Sequence, residues 1–123
     1  MVNTKAVILC VDDEPNSLVL RKLVLERAGY RVLVAGSAAQ ALDIFAAEKV
    51  DLVLSDQLMP DRMGTELAGD IKALSPDVPV ILISGVNEVP SDAGVADMFM
   101  SKVEGPRAMC EKISSLLKQV REA

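Results

Sequence analysis

Residues 6–15 read AVILCVDDEP: an apolar run, Ala6–Val11, that stops on Asp12, Asp13 and Glu14 and then meets Pro15. An unbroken apolar run of this length is what a strand buried on both faces requires, and such strands belong to parallel sheets covered by helices on each side. Pro15 suits a first helical turn, and Gly29 suits the position just past a helix end, so a helix is predicted from Pro15 to Ala28. Its inward face is read as Leu18, Val19, Leu23 and Val24.

Outward from that unit the same alternation continues. Arg31–Ala35 reads as a second strand, and Ser37 as the N-cap of a helix through Ala47. Val50–Ser55 is a third strand, followed by a loop over 57–63 and a helix Gly64–Leu74 that ends at Ser75-Pro76. Val78–Ile83 is a fourth strand and Met98–Ser101 a fifth. Between them Pro90 and Gly94 predict a short or distorted helix over 87–96. A closing helix, Pro106–Glu122, turns Met109, Ile113, Leu116, Leu117 and Val120 inward. Five strand–helix units predict an α/β fold in one domain over residues 1–123. The expected architecture is a flavodoxin-like, doubly wound five-stranded parallel sheet in order 2-1-3-4-5 with about five helices, joined by right-handed connections.

Composition narrows the function. The 123 residues include only Tyr30, Phe45 and Phe99 as aromatics, so the core is aliphatic. The formal net charge of −5 and the lack of a Lys/Arg block argue against direct nucleic-acid binding. Histidine is absent, which removes the commonest transition-metal ligand and general base. Cys10 and Cys110 form no Cys-x-x-Cys pattern and are read as buried free thiols of a reducing compartment. No signal-peptide pattern opens the chain, and no apolar stretch approaches the ~20 residues of a membrane span. The expectation is a cytoplasmic protein, or a cytoplasmic module of a longer one, with no membrane contact.

In open α/β sheets, ligands bind beyond the carboxyl ends of the strands, where strand order reverses. Polar residues follow four of the apolar runs: Asp12-Asp13-Glu14, Asp56, Ser84-Gly85 and Lys102. The expected order sets strands one and three side by side. Crowded carboxylates either raise their pKa values or recruit a cation. Oxygen ligands without His favour Mg2+, with Mn2+ as the alternative. Each residue also has a plainer reading: helix capping for Asp12 or Asp13, a turn residue for Asp56, a surface lysine for Lys102, a locally satisfied hydroxyl for Ser84. Complementary groups on four strand ends outweigh these readings taken singly.

The stretches Ile8–Pro15 and Asp51–Pro60, with Gly64 and the late Lys102, resemble the response-regulator receiver domain over essentially the whole chain. The resemblance implies a phosphoacceptor in a two-component signalling pathway, served by a histidine kinase or histidine phosphotransfer protein, with an unknown downstream output partner. It implies that Asp56 accepts the phosphoryl group. It implies metal ligation by Asp13, Asp56, the Leu58 backbone carbonyl and, through water, Asp12. Ser84 and Lys102 would bond the phosphoryl group, with Ser84 and Phe99 as switch residues. Such a domain would catalyse only its own phosphorylation and dephosphorylation, and is not an enzyme on external substrates.

The sequence departs from the family at three places. Lys102 is followed by Val103 rather than the usual Pro, so the expectation is a trans bond with a shifted loop or a strained cis one. The stretch from Ser84 to Lys102 is short and carries Pro90. Leu58 and Val86, which flank the site, are both apolar, and the expectation is that they exclude water and slow phosphate loss. Two other functions stay open: a degenerate receiver acting as a phosphorylation-independent binding module, and a metal-dependent phosphohydrolase. The second lacks an Asp-x-Asp motif. Flavin binding is disfavoured, because Asp12-Asp13-Glu14 would repel a flavin phosphate.

Overall fold

The computed structural model describes residues 5–85 and 96–122, the side chains of 120–122 excepted. Five parallel strands, β1 (Val7–Val11), β2 (Arg31–Ala35), β3 (Leu52–Asp56), β4 (Val80–Ser84) and β5 (Met98–Ser101), form one sheet in the order β2-β1-β3-β4-β5. The order predicted from the alternation is therefore the order found. Four helices are described: α1 (Pro15–Arg27), α2 (Ala38–Ala47), α3 (Gly64–Leu74) and α4 (Pro106–Glu122). The helix expected over 87–96 lies outside the described residues except for Ala96, as do Pro90 and Gly94.

The sheet is buried on both faces, as the unbroken apolar runs require. Ile8, Cys10, Leu52, Leu54, Ile81 and Ile83 pack on one side against Leu25 of α1 and Met109, Ile113, Leu116 and Leu117 of α4. Leu9, Val11, Val53, Val80 and Leu82 pack on the other against Ala38 and Ala41 of α2 and Leu67, Ala68 and Ile71 of α3. Each fully buried aliphatic side chain contributes about 1.5–3 kcal/mol relative to exposure. The side chain of Val120 lies outside those described.

Two helix termini follow the sequence rules and a third departs from them. Ser37 caps α2 by accepting the Gln40 N–H. Gly29 takes the positive φ of 99° that ends α1. Glu14, rather than Asp12 or Asp13, caps α1, its side chain accepting the Asn16 N–H. β3 and β4 each begin two residues later than expected and run one residue further. Pro79 has no N–H for the ladder, although its carbonyl accepts Val53 N–H, so β4 starts at Val80. The consequence is that Asp56 and Ser84 are the last residues of rigid central strands.

Two expectations are corrected. Val19 and Leu23 do not face inward: they are 67% and 47% exposed, with Leu20 at 61%. The sheet-facing stripe of α1 is instead Leu18, Arg21, Val24 and Leu25, one helical turn apart. Apolar residues occupy nearly every side of α1, so periodicity singled out no one face. The second correction concerns Cys110, which is only partly buried because it sits at the edge of α4's inner stripe. Cys10 is fully buried, and that burial pushes its thiol up to about 12.

Candidate functional site

Parallel register carries the acidic residues to one edge. Val11 of β1 lies opposite Ser55 of β3, so Asp12 emerges beside Asp56. One carboxylate oxygen from each of Asp12, Asp13 and Asp56 lies within 4.8 Å of the others. Asp12 and Asp56 are buried, whereas Asp13 is exposed. From the other side β5 brings Lys102, whose backbone N–H bonds the Ser84 carbonyl at 2.9 Å. The Lys102 ammonium stands 3.3 Å from Asp56 Oδ1 and donates to Oδ2 at 3.4 Å.

Asp56 Oδ1 is buried and accepts no hydrogen bond among the described residues. Its described charge partner is the Lys102 ammonium, which meets it as an ion pair without hydrogen-bond geometry, and the crowding of Asp56 with two further carboxylates marks a place where a cation would be stabilised. Burial is the largest influence on the Asp56 carboxyl and raises its pKa. Asp12 raises it further, while Lys102 and Arg21 oppose the shift. An all-oxygen donor set without His or Cys fits Mg2+.

The remaining predicted residues surround this centre. Ser84 is buried at the end of β4, one position past Ile83, which pairs with Asp56. Leu58 is exposed on the loop after β3, and Phe99 in β5 packs, partly buried, on the α2–α3 side of the core. Val86 lies outside the described residues. No described peptide bond is cis, so Lys102-Val103 is trans.

Four residues that shape the site were missed in the sequence. Arg21 donates to Asp12 Oδ2 at 2.8 Å. Gln57 holds the start of α3, its Oε1 accepting Thr65 N–H at 3.0 Å and its amide donating to Thr65 Oγ1 at 3.4 Å. Asp61 accepts the N–H groups of Ala38 and Ala39, which straps the Leu58 loop to the start of α2 and lowers the Asp61 pKa. Glu104 accepts Ser101 N–H at 2.7 Å and pairs with Lys112, and Lys112 chiefly lowers its pKa. Asp61 and Glu104 act across tertiary contacts that no local spacing reveals. Arg21 had a signal: a charge at the i+3 spacing of the Leu18–Val24 stripe.

Glu104 also accounts for the loop that follows Lys102. Ser101 Oγ accepts Val103 N–H, and the Glu104 N–H returns to the Ser101 carbonyl, so a closed turn fixes the loop at Val103, the position after Lys102. If Asp56 is the phosphoacceptor that the family resemblance implies, Glu104→Gln should loosen this turn and slow its phosphorylation by about two- to fivefold while the fold is retained, because misplacing a charge-neutralising group costs rate. Pseudo-first-order labelling by a small phosphodonor checks this, and unchanged rates would remove Glu104 from the site.

The family model for the response regulator receiver domain matches residues 8–114. This chain belongs to the response-regulator receiver family. The receiver is 33% identical over 123 residues to the transcriptional regulatory protein GlrR of Escherichia coli, covering 97% of this chain and 28% of that protein. It thus spans only about a quarter of that relative's length. A CheY-like receiver domain protein from Methanospirillum hungatei superposes with a TM-score of 0.91 at 31% identity, covering 97% of this chain and 98% of the other. The response regulator TrrA of Thermotoga maritima, solved in complex with Mg2+-BeF, gives a TM-score of 0.85 at 34% identity, covering 90% and 98%. No described helix of the receiver is long and apolar enough to cross a membrane.

Proposed function

We propose that this receiver takes a phosphoryl group onto Asp56 from the phosphohistidine of a histidine kinase or phosphotransfer protein and relays the change to an output partner. One observation carries the reading: the buried Asp56 carboxylate gathers with those of Asp12 and Asp13, one oxygen of each within 4.8 Å of the others, and the Lys102 ammonium stands 3.3 Å from Asp56 Oδ1. In the transfer a carboxylate oxygen of Asp56 bonds to phosphorus as the P–N bond breaks, and the freed imidazole leaves with the electron pair. Mg2+, or Mn2+ in its place, would offset the phosphoryl charge when held by Asp13, Asp56, the Leu58 carbonyl and, through water, Asp12. Lys102 would neutralise one further charge, and Ser84, buried at the adjacent strand end, would bond a phosphoryl oxygen.

Partly buried Phe99 is the proposed relay from Ser84 to the surface, since β4 and β5 pair directly and Leu82 lies opposite Phe99. The lifetime of the adduct is set by exclusion of water: an acyl phosphate survives only where the flanking side chains keep an attacking water out. Leu58→Asn, which gives that water a hydrogen-bond partner, is expected to shorten the lifetime of the phosphorylated form by about three- to tenfold. Following loss of the adduct over time checks this, and an unchanged half-life would remove Leu58 from that role.

The test of the whole reading is intact-mass measurement after treatment with a small phosphodonor and Mg2+. One added phosphoryl group, absent when Mg2+ is chelated beforehand, is the expected result. No adduct at any Mg2+ concentration would leave a phosphorylation-independent binding module, and sustained turnover of a phosphate ester would leave a phosphohydrolase. The trans Lys102-Val103 bond does not favour the degenerate reading, because Lys102 reaches Asp56 all the same.

A further inference from the structure

Arg21 is a charged side chain on the inward stripe of α1, aimed at the sheet edge that bears Asp12. Its side chain is only 15% exposed, and that of the Asp12 it meets is 4% exposed. Asp12 is fully engaged: Oδ2 takes the Arg21 Nη1 donor at 2.8 Å, and Oδ1 takes the Glu14 N–H at 2.9 Å. Among the described residues the site therefore sets three carboxylates against two cations, with Lys102 on Asp56 and Arg21 on Asp12. The two cations approach from different sides, Lys102 from the end of β5 and Arg21 from α1.

We propose that Arg21 is an internal counter-cation that competes with the divalent metal for the acidic trio, and so sets how weakly the unphosphorylated receiver binds Mg2+. This inference rests on the reading that the trio holds Mg2+. A partly buried monovalent charge held against one ligand acts in two ways. It occupies an acceptor oxygen that would otherwise face the metal or its water, and it repels the incoming divalent ion. At a separation on the order of 6 Å, that repulsion amounts to about tenfold in a binding constant even at the dielectric of bulk water. Lys102 pairs with the phosphoacceptor candidate Asp56, whereas Arg21 pairs with Asp12 and makes no described contact with Asp56. Its effect on metal affinity is therefore present before and after transfer. A merely structural brace would act in the opposite sense: losing it would disorder Asp12 and weaken the metal.

Titration of the receiver with MgCl2, followed by the backbone amide NMR signals of residues 12, 13 and 56, decides between the two. Arg21→Gln should lower the Mg2+ Kd about three- to tenfold, and Arg21→Met, which keeps a stem of similar length without the charge, should do the same. Arg21→Lys should stay within about twofold of the parent. The gap between parent and Arg21→Gln should narrow as KCl is raised, because screening acts on the repulsion. If both neutral variants bind Mg2+ no tighter than the parent, or more weakly, the inference is overturned and Arg21 is a brace. If the parent itself shows no Mg2+-dependent shift at these amides, the metal reading fails and takes this inference with it.

Discussion

Asp56→Asn is expected to take up no phosphoryl group under conditions that label the parent, and to fold more stably than the parent at neutral pH. The first half follows from chemistry. In the proposed transfer the carboxylate oxygen is the nucleophile, and an amide supplies neither its charge nor its lone-pair basicity. The second half follows from the environment. Asp56 is buried with one oxygen that accepts no hydrogen bond among the described residues, and its carboxyl is raised above the ordinary 3.8 by burial first and by Asp12 second. A folded pKa above the unfolded one means that the folded state binds the proton more tightly, so stability from this group is present at low pH and is lost as pH rises through the folded pKa. At pH 7 the parent carries the full cost of the ionised, crowded carboxylate, and the asparagine does not. The gap in Tm between Asp56→Asn and the parent should therefore narrow as pH is lowered toward about 4. Added Mg2+ should raise the Tm of the parent more than that of the variant. Intact mass and thermal melts at several pH values check both halves. An Asn variant less stable than the parent at pH 7 would show that Lys102 outweighs desolvation and repulsion.

Acid acts oppositely on the two loop straps. Asp61 and Glu104 have pKa values lowered from 3.8 and 4.5, Asp61 by the α2 amides and Glu104 by Lys112. Stability from such groups is present above the unfolded value and is lost as pH falls through the folded one. The receiver should thus loosen its loops in acid while the strand-borne centre relaxes.

Gly64→Ala is expected to destabilise the receiver by about 2–3 kcal/mol, an overpacking cost, and to slow labelling of Asp56 as well. A Cβ at Gly64 would lie 2.6 Å from the Asp56 carbonyl oxygen, 2.9 Å from Leu82 Cδ2 and 3.0 Å from Gln57 Cα. Two of those three atoms are backbone, so rotation of a side chain cannot relieve the clash. The Gly64 N–H also bonds the Gln57 carbonyl at 2.7 Å, which pins the loop closed at this point. Relief must come from moving α3 away from the end of β3, and Asp56 is the residue at that end. At Gly69, on the same helix, a Cβ would meet nothing within 4 Å. Gly69→Ala should therefore stabilise by about 0.5–1 kcal/mol through helix propensity and the unfolded chain. Urea denaturation of the pair, with labelling rates alongside, checks the contrast. Equal effects from the two substitutions would refute the close approach of α3 to β3.

The order of elements, the sheet order and the polar strand ends were determined by the sequence alone. Runs such as Ala6–Val11 are too apolar for anything but a doubly covered strand, and the alternation with helices leaves one simple topology. Because parallel strands all end at one edge, the residues after them had to meet there: Asp12, Asp56, Ser84 and Lys102 are local consequences of strand ends. What only the tertiary structure decided is how those groups are held. α1 carries apolar residues on nearly every side, so the sheet had to choose Leu18, Val24 and Leu25 over Val19 and Leu23, and that choice turned Arg21 toward Asp12. The bonds of Asp61 to α2 and of Glu104 to Ser101 arise through folding rather than through spacing, because a helix-terminal amide or a strand-end N–H becomes an acceptor's partner only once the chain has packed.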